Sequence, residues 1–90
     1  MRSIDISQFA ENGIIQEDSF RQAIENIDWE QYKGKRILIQ GCAGIPIPIW
    51  AYMMVTAKLA QFADSINYGE VTSPLQVYAK NQRKAEQESV

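Results

Sequence analysis

The chain has 90 residues, with nine Lys and Arg against eleven Asp and Glu and a net charge of −2. That length is one small domain, and an apolar fraction of 46% with 22% charged residues belongs to a chain that collapses around a core. No histidine and one cysteine, Cys42, exclude a Cys/His zinc site, a His-based triad and an intrachain disulfide, and the acidic balance is the wrong sign for neutralising a phosphate backbone, so no nucleic acid is expected as a partner.

The first residues, Met1 to Asp5, carry no hydrophobic signal region. The longest apolar stretch, Ile45 to Val55, is far short of the roughly 20 residues that a membrane span needs. A cytoplasmic protein without a membrane partner is therefore expected, and a lone cysteine suits a reducing compartment.

Ile4 and Ile6 alternate with Ser3, Asp5 and Ser7, which predicts a short strand. From Glu17 to Ile27, Phe20, Ala23, Ile24 and Ile27 recur at helical spacing, with Ser19 and Gln22 offering a capping box. Asp28 can cap a short turn carrying Trp29 and Tyr32, and Gly34 lets the chain leave it. Arg36 to Gln40 is a β-branched apolar run ending at Gly41, which predicts a central strand buried on both faces. After Pro46 and Pro48, the stretch Ile49 to Ala63 has no Gly or Pro and predicts a second helix.

Ser65 to Tyr68 reads as a strand ending at Gly69. Pro74 to Ala79 reads as a last strand with Leu75, Val77 and Ala79 on one face, its proline placing it at an edge. The predicted fold class is α/β: a small mixed sheet in β-α-β-α-β-β order with a right-handed crossover through the second helix. Residues 1–80 form the domain and 81–90 a polar, frayed tail.

The second helix is apolar on nearly every side, with a narrow polar stripe through Lys58, Gln61 and Ser65. One sheet cannot cover it. Either the first helix and the Trp29/Tyr32 segment pack over the second side, or a subunit interface does. A chain this small buries only roughly 60–65% of its unfolded surface, which points to a homodimer through Trp50, Met53, Met54 and Ala57.

Cys42 lies where a central strand hands over to a helix, the side of an open α/β sheet on which ligands bind. Gly41, Cys42, Ala43, Gly44, Trp50 and Tyr52 are the candidate ligand-binding residues, with Tyr68 beside them, and Cys42 is the candidate catalytic nucleophile. Against that chemistry, the loop lacks phosphate-loop glycine spacing, its two prolines donate no N–H, and no histidine can serve as base. A small buried core cysteine is the commoner state. Asp28, Asp64 and Glu70 are isolated carboxylates at element ends; no metal and no cofactor are expected.

The segments Lys33-Gly34-Lys35-Arg36-Ile37-Leu38-Ile39-Gln40-Gly41-Cys42, Ile45-Pro46-Ile47-Pro48-Ile49-Trp50-Ala51-Tyr52-Met53, Tyr68-Gly69-Glu70 and Ser73-Pro74-Leu75-Gln76-Val77-Tyr78 resemble an uncharacterised bacterial domain-of-unknown-function family, DUF2480-like. The resemblance implies longer members built from two related halves, of which this chain is similar to one, so that a homodimer restores the whole with the second helix near the twofold axis. It also implies a neighbourhood of iron–sulfur cluster assembly, hence a protein partner in that process, although Val71, Thr72 and Ser73 stand where longer members carry a second cysteine. Three readings follow: a non-enzymatic dimeric accessory or interaction protein linked to iron–sulfur or sulfur metabolism, a thiol-dependent enzyme or persulfide carrier using Cys42, and a small-ligand-binding domain. The balance leans against an enzyme.

Overall fold

The computed structural model describes residues 1–41 and 44–80. Its elements are β1 (Arg2–Asp5), a 3₁₀ turn (Ile6–Phe9), α1 (Glu17–Glu25), a second 3₁₀ turn (Trp29–Tyr32), β2 (Arg36–Gln40), α2 (Ile49–Leu59), β3 (Ser65–Glu70) and β4 (Ser73–Ala79). Among the described residues the strands form one four-stranded sheet in the order β1-β2-β3-β4. The first three are parallel and β4 runs antiparallel to β3, which makes the α/β mixed sheet that the sequence predicts, with β2 inside and β4 at an edge.

Each parallel step joins neighbouring strands in sequence order, so both helices return over the same face. The residues on that face are Ile4, Ile37, Ile39 and Ile66, in register across three strands, and they form one core with Phe20 and Ile24 of α1 and Ala51, Val55 and Leu59 of α2. Ile6 and Trp29, from the two 3₁₀ turns, complete it. Leu38 alternates to the opposite face and is also fully buried, so β2 is apolar on both sides for a reason. Asn67 pairs with Leu38 on that second face, and its side-chain amide donates to the Ile37 carbonyl at 3.2 Å.

Five local expectations change, the first being that β3, expected to end at Gly69, runs on to Glu70. Helix α1 begins at Glu17 with Gln16 as a cap that makes no side-chain bond, so Ser19 and Gln22 lie inside the helix and form no capping box. Glu17 and Asp18 instead place negative charge at the positive end of the helix dipole. Asp28 precedes its turn without a side-chain cap bond; the Gln31 amide donates to the Asp28 carbonyl at 2.8 Å. Helix α2 ends at Leu59, four residues early, where its last turn tightens to i→i+3 bonds from the Gln61 N–H to the Lys58 carbonyl and from the Phe62 N–H to the Leu59 carbonyl. Gly34, at φ +72°, donates to the Phe62 carbonyl at 3.0 Å and fastens that turn.

The fifth change concerns β4. Tyr68 pairs with Leu75 and Asn67 with Gln76, but Ile66 pairs with Tyr78, so Val77 is an extra residue at an irregularity in the ladder. Beyond it the alternation reverses. Tyr78 packs against the core and Ala79 pairs with Ser65 on the other face, so Leu75, Val77 and Ala79 do not share one face along the whole strand.

Helix α2 is divided into four lengthwise stripes. Ala51, Val55 and Leu59 are buried against the sheet. Trp50, Met54 and Lys58 turn toward α1: Trp50 meets Phe20 at 5.7 Å between ring centroids, and the Lys58 ammonium lies 3.3 Å from a Glu25 carboxylate oxygen. Tyr52 and Thr56 turn toward β3 and β4. Ile49, Met53 and Ala57 face outward and are exposed. The first helix therefore covers one flank of α2 within the chain, and the uncovered part is narrower than its composition suggests.

Candidate functional site

At the carboxyl ends of β2 and β3 the chain brings together Gly41, Tyr68, Gly69 and Glu70, and the second turn of α2 lowers Tyr52 onto them. Tyr68 alternates onto the helix face of β3, opposite Ile39. The Tyr52 and Tyr68 rings meet edge to face, with centroids 5.1 Å apart and planes at 85°. This pair stands between two clefts. On the strand-end side is a crevice of about 490 Å³ lined by Gly41, Ile45, Ile47, Tyr52, Tyr68, Gly69 and Glu70. On the other side is an apolar groove of about 520 Å³ lined by Ile39, Tyr52, Met53, Thr56, Ala57, Tyr68 and Val77.

Gly41 is set by this arrangement. A Cβ there would run into the Tyr52 hydroxyl and lie 3.1 Å from Ile47 Cγ1, so a side chain at this position would have to push the phenol away from the end of β2. Burial raises the Tyr52 pKa above its ordinary value of 10.0, and hydrogen bonding and charge interaction with Tyr68, then the Asp5 carboxylate, push it the same way. Tyr52 is a neutral phenol at physiological pH. Its backbone carbonyl accepts from the Thr56 hydroxyl at 2.7 Å, which holds that turn of α2.

The structure brings together some of the candidate residues and separates others. Gly41 and Tyr52 share the crevice with Tyr68. Trp50 lies against Phe20, toward α1, and does not line the crevice; Gly44 is exposed and does not line it either. Cys42 and Ala43 lie outside the described residues. Of the residues expected at a subunit interface, Met53 and Ala57 border the apolar groove, whereas Met54 borders a separate cleft of about 540 Å³ between α1 and α2, with Arg21, Glu25 and Lys58. Ile45, Ile47 and Glu70 enter the crevice without having been named for it. The two isoleucines flank a proline that carries them over the strand ends, and Glu70 arrives because β3 continues through Gly69, at φ +121°, before turning.

Chemically, the site is a corner of two perpendicular aromatic walls, an apolar floor and one carboxylate, an arrangement suited to recognition. Among the described residues no three His, Cys, Asp or Glu side chains gather to hold a metal ion, and no helix is long and apolar enough to cross a membrane.

The fold and site define a small helix-on-sheet α/β domain with an aromatic crevice at its strand ends. The family model described as Protein of unknown function (DUF2480) matches residues 1–88, and the chain belongs to that family. No curated protein and no solved structure matches it.

Proposed function

We propose that this chain is a non-enzymatic interaction protein whose working form is a homodimer, an accessory factor in the sphere of iron–sulfur or sulfur metabolism. One observation carries the dimer: Met53 at 66% and Val77 at 50% exposure line an apolar groove, with Ile49 at 78% one turn before Met53 on α2 and Leu75 at 63% two residues before Val77 on β4. So many large apolar side chains around one groove on a small domain mark a contact surface. An isologous contact needs a projecting side chain and a receiving groove, and the exposed Met53 at the rim of the groove supplies both parts in one surface. Free edge-to-edge pairing through β4 is opposed by Pro74 and the irregularity at Val77, which favours a contact through the face.

The test is sedimentation equilibrium on the wild type and on Met53→Glu. The wild type is expected to sediment as a dimer at micromolar concentration and Met53→Glu as a monomer with unchanged circular dichroism. A wild type that stays monomeric at ~100 μM overturns the reading.

A further inference from the structure

We propose that the crevice formed by Tyr52, Tyr68 and Glu70 is a binding site for an alkylammonium cation. The geometry carries the argument. Two aromatic rings at 85° with centroids 5.1 Å apart leave a corner in which a cationic head lies against one π face and beside a second, the arrangement by which aromatic cages hold ammonium groups. Ile45 and Ile47 supply apolar surface for the alkyl part, and Glu70 supplies the opposite charge at the mouth. Among the described residues no lysine or arginine lines the crevice with Glu70.

The surroundings point the same way. The Asp5 carboxylate adds to the upward push on the Tyr52 pKa, so a second negative charge is felt at this phenol. An anionic ligand would meet the Glu70 carboxylate, and Pro46 and Pro48 offer it no N–H. Gly41 keeps the corner open, because a side chain there would displace the Tyr52 hydroxyl. The site lies on the far side of the tyrosine pair from the apolar groove, and Glu70 does not border that groove, so this inference stands or falls apart from the dimer.

A free amine and a lysine side chain of another protein present the same chemistry, and the experiment separates them. Butyltrimethylammonium and a peptide containing trimethyllysine are titrated separately into the full chain, with the ring resonances of Tyr52 and Tyr68 as the readout. Saturable shifts at millimolar concentration are expected, about tenfold weaker for the neutral isostere 3,3-dimethylbutan-1-ol and for Glu70→Gln, whose exposed side chain is not needed for folding. Equal affinity for the two cations assigns the site to a free ammonium compound; a peptide bound at least about tenfold tighter assigns it to a lysine side chain. Absence of a saturable shift with either cation at ~10 mM, or equal binding of the neutral isostere, overturns the proposal.

Discussion

Tyr52 of α2 and Tyr68 of β3 meet edge to face with ring centroids 5.1 Å apart, a contact that joins the amino end of the helix to the parallel strands beside the buried Ala51. Because Tyr52 binds its proton more tightly in the folded chain than in the unfolded one, it contributes stability that is fully present below about pH 10 and is lost as pH rises through the higher folded value. The alkaline limb of the thermal stability profile should therefore fall from about pH 10 upward and become shallower in Tyr52→Phe. Ultraviolet titration of tyrosinate checks the assignment: the late-titrating phenol must vanish in Tyr52→Phe. A full-amplitude late step in that variant would assign the shift elsewhere.

Gly41→Ala tests the close approach at the end of β2. The new methyl group meets the Tyr52 hydroxyl and Ile47 Cγ1, and Tyr52 cannot swing freely because Tyr68 stands against its ring. The cost is expected at about 1–3 kcal/mol in urea unfolding, the range for forcing a methyl into an occupied space. The Tyr52 and Tyr68 ring resonances should move together. If the variant unfolds with wild-type midpoint and unmoved rings, the crevice is looser than its geometry implies.

The Trp29 indole N–H donates to the Ile24 carbonyl at 2.8 Å and ties the second 3₁₀ turn to the carboxyl end of α1. Trp29→Phe removes that buried donor and part of a buried ring, with an expected loss of about 1–3 kcal/mol. Arg2 supports the same turn from the surface, its guanidinium 4.9 Å from the Tyr32 ring and bonded to the Gln31 carbonyl at 3.1 Å, so Arg2→Ala should cost under about 1 kcal/mol. Chemical denaturation of the two variants side by side gives the ranking, and an equal loss in both would contradict it.

Why some of this was legible in the sequence and some was not follows from the range of the interactions. Strand β2 is readable because both its faces are buried, so Ile37, Leu38 and Ile39 form an unbroken apolar run between Arg36 and Gln40. The entrance to α2 is readable because Pro48 and Ile49 mark a local boundary. The end of α2 is not, since Ala60 to Ala63 contain no glycine or proline and the turn is fastened by a long-range bond from the Gly34 N–H to the Phe62 carbonyl. The irregularity at Val77 likewise leaves no mark in an alternating pattern, as it is decided by pairing with Ile66 and Asn67. At the site, Gly41, Tyr52 and Tyr68 carry visible chemistry, whereas Ile45, Ile47 and Glu70 become lining residues only once β3 has run on through Gly69.

Helix α2 allows fold and assembly to be separated with substitutions one turn and a half apart. Leu59 is fully buried in the core, so Leu59→Ala should cost about 2–5 kcal/mol at any protein concentration. Met53 is 66% exposed beside the apolar groove, and a surface substitution there should change the stability of the isolated fold by less than about 0.5 kcal/mol. A dimer stabilises its folded chains by mass action, so the wild-type melting temperature is expected to rise with concentration while that of Met53→Glu stays flat. Differential scanning calorimetry across a hundredfold range of concentration distinguishes the cases. Parallel, concentration-independent curves for wild type and Met53→Glu would mean that the outward stripe of Ile49, Met53 and Ala57 closes on something other than a second copy of this chain.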